Sequence, residues 1–355
     1  MEKVRLGDIC TKQSSRLAQK DLENMDGSYP IFGASGLIKK INTYDQEVEY
    51  VAVVKDGAGV GRMMLLPACS SVIGTLQYLI PNENVNAKYL YYAVKSRHLE
   101  KYYTGSAIPH IYFKDYKSEP IIIADKMAQK KIAFVLERVE KIIEEHKKQL
   151  KKLDTLIKAR FVEMFGEPLS NSKGWQTMSI AEAAPIKSRR GELIDEIWLL
   201  NLDAVEAQTG TVLFKHRVQR EEINASTVYF TTENVLYSKL RPYLNKVVMP
   251  DEDGVATSEM IPMYPLAYRL IRSYLCYWLR SDAFVKHISE KVARAKMPRV
   301  SMDYFQSLTI ELPPLELQEQ FAAFVEQTDK SKSAIQKSLE KTQLLFDSLM
   351  QEYFG

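Results

Sequence analysis

The stretch Gln129–Gly166 (QKKIAFVLERVEKIIEEHKKQLKKLDTLIKARFVEMFG) decides the fold, because the chain contains it twice. The second copy is Gln318–Gly355 (QEQFAAFVEQTDKSKSAIQKSLEKTQLLFDSLMQEYFG). The copies align without a gap, about 27 heptads apart, so both keep the same seven-residue phase. Identical pairs include Gln129/Gln318, Ala133/Ala322, Glu137/Glu326, Lys148/Lys337, Leu150/Leu339, Leu156/Leu345, Glu163/Glu352, Phe165/Phe354 and Gly166/Gly355. The repeat predicts two similar halves, each closed by the same long segment.

Apolar residues recur in both copies at alternating steps of three and four, which places them on one stripe of a helix. The predicted seam residues are Ile132, Val135, Val139, Ile142, His146, Leu153 and Leu156, then Phe321, Phe324, Thr328, Ile335, Leu345 and Leu349. Each helix should be about 40 residues, or about 60 Å, long. We expect an intramolecular coiled coil that holds two domains a fixed distance apart. The alternative is two independent amphipathic helices, each packed on its own domain, for which a wider stripe would be usual.

Composition is that of an ordinary globular protein. The 355 residues, 46% of them hydrophobic and 26% charged, suffice for two domains with cores. No apolar run is long enough to span a bilayer, and the start MEKVRLGDIC is not a signal peptide. Three scattered cysteines, Cys10, Cys69 and Cys276, favour a reduced, cytoplasmic setting. The net charge of +3 neither requires nor excludes nucleic acid as a partner.

The two halves repeat one order of elements, which predicts an α+β fold: two mixed domains separated by two long helices. In the first half we expect a strand and turn at Val4–Cys10, a strand end running into a glycine-rich loop at Tyr29–Gly36, and strands at Glu49–Lys55, Met63–Leu66, Gln77–Ile80 and Ser118–Ile123. We also expect a helix at Asn86–Lys95 and a loop at Thr104–His110. The second half offers an entry strand and turn at Trp175–Ile180, strands at Ile197–Leu202, Thr211–Phe214 and Leu308–Leu312, a helix at Ser273–Arg280 and a basic loop at Lys291–Arg299. Between them, Glu233–Lys239 leads to Leu240–Lys246, and Val247–Pro250 closes that element. The expected domains are 1–124 and 167–313, followed by helices at 125–166 and 314–355, with Glu167–Gly174 as linker.

Local signatures of catalysis are missing from the sequence. Gly57–Gly61 (GAGVG) follows a strand but precedes another predicted strand, so a glycine-rich hairpin is favoured over a dinucleotide site. The sequence holds no phosphate-binding GxxxxGK[ST] loop and no Asn-Pro-Pro-Tyr or Asp-Pro-Pro-Tyr string of an adenine methyltransferase. Its five histidines show no metal-ligand spacing, and His146 is expected to be packed or half-exposed in the helical seam. We therefore expect neither catalytic nor metal-binding residues.

Two groups of polar residues suggest contact with nucleic acid. Ser238–Lys246 (SKLRPYLNK) interleaves Lys, Arg, Asn and Tyr, the residue types that bond phosphates and base edges. Cationic residues recur in the loop Lys291–Arg299, while the first half is less basic at its own loops. Each cluster alone is more often a solvated surface. Two similar domains on a rigid spacer, however, could read two half-sites on one duplex.

Specific strings in both halves match one known family. They are YPIFGASG (Tyr29–Gly36), GAGVGR (Gly57–Arg62), KYLYYAVK (Lys88–Lys95), TGSAIP (Thr104–Pro109), NVLYSKLRPYLNK (Asn234–Lys246), MPRV (Met297–Val300) and LPPLELQEQ (Leu312–Gln320). With the helical repeat they cover nearly the whole chain, which resembles the specificity (S, HsdS-type) subunit of type I restriction–modification systems. The chain departs from the family pattern where the first helix is entered through Pro120–Lys126, without a Pro-Pro pair, and at Met297, where a glycine-containing loop is usual.

The resemblance implies a function and a set of partners. Such a subunit is not an enzyme: it binds a split target on double-stranded DNA, one half-site per target-recognition domain, with antiparallel helices setting the gap. The helices would dock two methylation subunits, which bind S-adenosylmethionine, so this chain is expected to bind no cofactor. Restriction subunits complete the complex. The alternatives from the residues alone are a scaffold protein whose coiled coil joins two interaction modules, or a stand-alone nuclease.

The candidate DNA-binding residues lie in the predicted loops of each half. For the first half-site they are Lys55, Arg62, Ser106, His110 and Lys114. For the second they are Lys239, Arg241, Tyr243, Asn245, Lys246, Arg294, Lys296 and Arg299. Tyr243 could equally belong to the core, and Pro109 and Pro298 are expected to shape loops.

Overall fold

A computed structural model describes residues 2–105, 109–188, 196–223, 226–293 and 296–355. The chain divides into two compact units. The first unit is Met1–Lys147 with Lys337–Gly355, and the second is Lys148–Gln336. Each unit therefore contains one half of each long helix. No helix in the described ranges is long and apolar enough to cross a membrane.

The first unit contains nine described strands in three sheets. They are β1 (Glu2–Arg5), β2 (Cys10–Ser14), β3 (Tyr29–Gly33), β4 (Gly36–Ile41), β5 (Tyr50–Val54), β6 (Met63–Leu66), β7 (Ser71–Val72), β8 (Leu76–Pro81) and β9 (Pro120–Ile123). The sheets have the orders β1-β9, β2-β8-β5-β6 and β4-β3-β7. The short helices are α1 (Leu6–Ile9), α2 (Ala87–Lys95) and α3 (Phe113–Tyr116), and the long helix α4 is Lys126–Phe165.

The second unit repeats this plan with a different large sheet. Its strands are β10 (Gln176–Ser179), β11 (Glu196–Leu200), β12 (His216–Gln219), β13 (Thr227–Phe230), β14 (Val235–Ser238), β15 (Val247–Val248), β16 (Gly254–Thr257), β17 (Met260–Met263) and β18 (Thr309–Leu312). The sheet orders are β10-β18, β12-β11-β16-β13 and β15-β14-β17. The helices are α5 (Ile180–Ala183), α6 (Arg272–Leu279), α7 (Asp282–Val292), α8 (Met302–Ser307) and the long α9 (Leu315–Phe354). Short 3-10 helices in the chain are Gln19–Leu22, Leu99–Tyr102, Leu202–Ala204, Arg220–Glu222 and Pro242–Leu244.

Most predicted elements are confirmed, but the expected strand Thr211–Phe214 is wrong. Val212 makes a single bridge with Val205, and Leu213 and Phe214 are more than half exposed. The helix α2 forms as expected because Asn86 caps it, accepting a hydrogen bond from the backbone N–H of Tyr89, and because its apolar residues face the core. The glycine motif Gly57–Gly61 lies between antiparallel strands β5 and β6, which confirms the hairpin and excludes the dinucleotide loop.

A buried glutamine anchors the start of each long helix in the same way. Gln129, 1% exposed, accepts a hydrogen bond from the backbone N–H of Asn86 and donates to the carbonyl oxygens of Asn84 and Ala124. Gln318, fully buried, does the same for Ile271, Arg269 and Pro313. The glutamine conserved between the two copies therefore satisfies three backbone groups where the loop, the last strand and the helix of each unit meet.

The helix segments within each unit run antiparallel. In the second unit the Phe165 ring lies 5.5 Å from Phe321, near the start of α9, while Asp154 pairs with Lys332 farther along it. In the first unit, Tyr89 and Tyr92 of α2 contact Phe354 and Phe346 of α9, in reverse order along α9, with ring centroids 5.1 and 6.2 Å apart. Lys88 and Lys95 of α2 pair with Glu137 and Glu140 of α4 in the same order along both helices, so α4 and α9 run in opposite directions there. Each helix half also packs on the globular part of its unit, so the coiled-coil and domain-packing alternatives both describe part of the arrangement.

The predicted seam is displaced in places by one residue. Ile142, Leu156 and Leu345 are 46%, 48% and 50% exposed, whereas Ile143, Ile157 and Phe346 beside them are buried. In a straight helix, positions seven residues apart rotate by about 20° per heptad around the axis. Seam residues chosen at a strict seven-residue spacing therefore move off the face that makes the contacts. His146 is half-buried, as expected for a seam position.

The second unit offers a test of a buried polar contact. The indole N–H of Trp278 donates to Glu311 Oε2 at 2.5 Å, and both residues are nearly inaccessible to solvent. Replacing Glu311 by alanine should leave that N–H without a partner and reduce the free energy of unfolding by about 1–3 kcal/mol. Glu311→Gln keeps an acceptor and should cost clearly less in denaturant titrations. Equal losses for the two variants would show that this hydrogen bond does not stabilise the unit.

Candidate functional site

Two sequence motifs with no obvious similarity form the same hairpin in the two units. Gly57–Arg62 (GAGVGR) connects β5 to β6, and Arg241–Lys246 (RPYLNK) connects β14 to β15. In the first unit the backbone N–H of Val54 donates to the Arg62 carbonyl at 2.8 Å. In the second, the N–H of Ser238 donates to the Lys246 carbonyl at 3.0 Å. We call these connections the first and second reading hairpins.

Equivalent positions of the two hairpins adopt left-handed backbone conformations. The φ angles are +83° at Gly57 and +87° at Gly61, and +50° at both Arg241 and Asn245. Glycine takes this conformation at little cost, whereas an L-residue with a side chain is strained there, arginine more than asparagine. The second hairpin therefore carries an arginine side chain at the position where the first hairpin has Gly57.

A second segment pairs with each hairpin through equivalent backbone hydrogen bonds. Gly57 N–H donates to the Pro109 carbonyl at 2.9 Å, and Arg241 N–H donates to the Pro298 carbonyl at 2.7 Å. The N–H groups two residues farther on, in Ile111 and Val300, donate to the carbonyls of Lys55 and Lys239 at 2.9 Å. In each unit the structure thus brings together two loops that the sequence analysis selected separately.

The first site holds an ion-paired cluster. Asp56 lies between Lys55, whose Nζ is 2.5 Å from Oδ2, and His110, whose Nδ1 is 2.7 Å from Oδ1. Burial alone raises the pKa of the Asp56 carboxyl, but the hydrogen bonds from Lys55 and His110 outweigh burial and hold that pKa below its usual range. Asp56 is therefore a carboxylate at neutral pH, accepting from two of the predicted DNA-binding residues.

Other side chains extend the first site. The His110 ring stacks on Tyr112, with centroids 6.4 Å apart, and Lys114 Nζ lies 5.3 Å from the centre of the Tyr112 ring. Arg62 and Lys114 are exposed. The predicted contact Ser106 lies outside the described residues.

The second site presents exposed cations and an exposed aromatic residue. Arg241, Lys296 and Arg299 are exposed, and Tyr243 is 46% exposed, so Tyr243 is not a core residue. Arg299 Nη2 donates to Glu259 Oε1 at 2.5 Å. Lys239 is half-buried, and its backbone N–H donates to the Glu259 carbonyl at 3.0 Å. Arg294 lies outside the described residues.

Two predicted contacts of the second site face the protein instead. Asn245 is 2% exposed and donates its side-chain amide to the Arg280 carbonyl at 3.1 Å, so it is not available to a duplex in this arrangement. Lys246 is half-buried, and its ammonium donates to the Leu202 carbonyl at 2.6 Å. Both side chains therefore bond backbone carbonyls of the protein at the base of the hairpin.

Sequence reasoning missed the two carboxylates, Asp56 and Glu259. Neither belongs to a recognisable motif, since Asp56 precedes the glycine loop and Glu259 lies in the turn between β16 and β17. The two hairpins are equivalent in their backbone hydrogen bonds, but their sequences differ too much to be aligned residue by residue. Sequence analysis therefore could not identify the positions next to the basic side chains.

The arrangement suits binding rather than bond-making chemistry. Exposed guanidinium and ammonium groups on hairpins can contact phosphates, and guanidinium can also bond guanine O6 and N7 in the major groove. Within the described ranges, no group of three or more His, Cys, Asp or Glu side chains is placed to hold a metal ion.

Comparison with known proteins gives consistent matches over the whole chain. The family model described as the type I restriction modification DNA specificity domain matches residues 1–155 and 173–344. The specificity subunit of the type I restriction enzyme EcoDI from Escherichia coli is 21% identical over 389 residues, covering 98% of this chain and 85% of that protein.

Two solved structures are similar in fold. The S subunit of a type I restriction–modification system from M. genitalium has a TM-score of 0.63 at 16% identity, over 100% of this chain and 96% of its own. A chain from a structural study of complex assembly and conformational transition of the type I restriction–modification system has a TM-score of 0.52 at 14% identity, over 99% and 97% of the two chains.

Proposed function

The chain belongs to the type I restriction–modification DNA specificity family, and from that premise we propose how its two units read DNA. As a specificity subunit it recognises the DNA sequence for a complex with methylation and restriction subunits and is not itself the catalyst. Each unit contacts one half of a two-part target through its reading hairpin and the segment paired with that hairpin. The observation that supports this proposal most directly is the recurrence of the same hairpin and paired segment, with exposed cations, in both units.

The two sites should read different bases. The first offers an imidazole, a lysine and Arg62 around glycines, whereas the second offers Arg241, Lys296 and Arg299. Guanidinium forks favour guanine, and imidazole has a different set of donors and acceptors. The two half-sites of the target are therefore expected to be non-identical.

The finer details of the complex are part of the proposal. We infer that two methylation subunits dock on the paired helices, one for each half-site, and that they bind S-adenosylmethionine. The long helices would set the unread gap between the half-sites. A cytoplasmic location follows from the proposed substrate, because the DNA to be modified lies there.

The experiment is a map of adenine methylation. The chain is expressed with its neighbouring methylation subunit in a host without other adenine methylation, and modified adenines are located by single-molecule sequencing. We expect a two-part motif with a fixed gap that disappears when this chain is omitted. A control strain carries the methylation subunit alone.

The other outcomes lead to different functions. If neither a complex nor a methylated two-part motif is found, the chain would be a scaffold rather than a reader of DNA. Cleavage of unmodified DNA by the purified chain with a divalent metal would instead identify a nuclease. Either result would overturn the proposed function.

A further inference from the structure

Building on the proposed function, we propose that His110 and Arg299 are specificity-determining residues of the two half-sites, each oriented by a carboxylate that acts as a positioning residue. Asp56 positions His110, and Glu259 positions Arg299. Glu259 and Asp56 were not among the residues expected from the sequence to serve DNA binding. The proposal assigns these carboxylates a role in base selection.

His110 and Arg299 occupy equivalent positions in the two units. Each immediately follows the proline whose carbonyl accepts the hydrogen bond from the reading hairpin, Pro109 in one unit and Pro298 in the other. Each also contacts a carboxylate, at 2.7 Å for His110 Nδ1 and 2.5 Å for Arg299 Nη2. In each unit, the residue after this proline thus pairs with a carboxylate, although the residue is histidine in one unit and arginine in the other.

The carboxylates come from different parts of the fold. Asp56 precedes the first reading hairpin, and the equivalent position in the second unit is Leu240, because Lys55 and Lys239 accept equivalent hydrogen bonds. Glu259 lies in the turn before β17, and its carbonyl accepts from Lys239 as the Thr75 carbonyl accepts from Lys55. The internal repeat therefore does not explain why both His110 and Arg299 are paired with a carboxylate.

Stability is a poor explanation for these pairs. The side chains of His110 and Arg299 are 37% and 54% exposed, and solvent-exposed ion pairs contribute little to folding. Glu259 Oε2 is buried and makes no hydrogen bond with another described group. Since an unpaired buried acceptor is unfavourable, the Glu259–Arg299 arrangement is not the one that folding alone would select.

A carboxylate that bonds one nitrogen of a side chain leaves its other nitrogens for a different partner. His110 uses Nδ1 for Asp56, so Nε2 is the ring nitrogen that remains for DNA. Arg299 uses Nη2 for Glu259, so Nη1 and Nε remain. Fixing the side chain before binding removes part of the entropy cost of ordering it on a base edge.

The two side chains offer different groups to a base. The imidazole has Nε2 left for DNA, whereas the guanidinium has Nη1 and Nε left. Guanidinium favours the acceptors N7 and O6 of guanine, so the two sites should prefer different bases.

The test uses the full chain with its methylation subunits and a pool of duplexes. Each duplex carries two randomised windows separated by the gap found in the methylation map. Enrichment is measured for the wild type, for the nearly isosteric variants Asp56→Asn and Glu259→Gln, and for Asp26→Asn. Asp26 is a matched control, because it pairs with Lys39 on the surface of the first unit with its side chain 88% exposed.

The expected result is a change confined to one window for each variant. Asp56→Asn should reduce the preference for the favoured base at one position of the first window by roughly tenfold. Glu259→Gln should have a similar effect in the second window. Asp26→Asn should behave as wild type. A role in folding alone would weaken binding of all duplexes and would not change the base selected in one window.

Two results distinguish failure of the inference from failure of the proposed function. If the wild type enriches both windows and neither carboxylate variant changes the selected bases, the inference is overturned while DNA reading stands. If the wild type enriches neither window, the proposed function itself fails. Should Asp56→Asn unfold, His110→Gln with a normal unfolding midpoint provides the second variant. Unchanged selection by His110→Gln would then overturn the inference for the first site.

Discussion

Replacing Gln318 with leucine is expected to lower the free energy of unfolding of the second unit by roughly 3 kcal/mol or more. The fully buried amide of Gln318 contacts three backbone groups: the N–H of Ile271 at 2.9 Å and the carbonyls of Arg269 and Pro313 at 3.0 and 2.8 Å. Leucine has a similar volume but no polar atoms, so these groups would lose their side-chain partner. Each buried group left unsatisfied costs about 1–3 kcal/mol. Denaturant titration measures the loss.

Local hydrogen exchange provides the matched comparison. Gln129→Leu removes the equivalent three contacts in the first unit and should deprotect β9 and α2, whereas Gln318→Leu should deprotect β18 and α6. Gln320→Leu is the control, because Gln320 is exposed on the same helix. If Gln318→Leu were no more destabilising than Gln320→Leu, the buried glutamine would not anchor the helix.

Replacing Arg241 with glycine is expected to weaken binding of the second half-site by about 5- to 150-fold while leaving the fold intact. The loss corresponds to about 1–3 kcal/mol for an arginine contact to a base. Arg241 is exposed and has φ of +50°, where glycine is unstrained, so folding stability should be unchanged or higher by up to about 1 kcal/mol. Stability and DNA binding should thus change independently. Thermal unfolding and binding to the mapped target, each compared with wild type, test the two parts.

Arg241→Lys separates charge from geometry at this position. Lysine keeps the positive charge but loses the planar fork, so selectivity should fall while the salt dependence of binding is preserved. Arg241→Gly should reduce that salt dependence if the guanidinium also contacts phosphate. If Arg241→Gly bound DNA with unaltered affinity and selectivity, Arg241 would not contact DNA, and its strained backbone would have no functional explanation.

Much of the candidate site was within reach of sequence reasoning, and the errors have specific causes. Residues chosen by type and loop position fall on the two hairpins and their paired segments, as Arg241 and His110 do. Asn245 fits the residue preference for base contacts equally well but is buried, because its left-handed backbone directs it toward Arg280. Residue type indicates what a side chain can bond, whereas backbone direction decides whether it faces solvent.

The sequence by itself determined the helical repeat, the order of elements in each half and the family. These are carried by local patterns: apolar spacing along α4 and α9, turn residues, and strings such as NVLYSKLRPYLNK. Only the tertiary structure decided that GAGVGR and RPYLNK form equivalent hairpins in the two units, and that Asp56 and Glu259 contact His110 and Arg299. These contacts depend on backbone hydrogen bonds between segments far apart in the chain. Such bonds are made by N–H and C=O groups that every residue except proline possesses, so they leave little trace in side-chain identity.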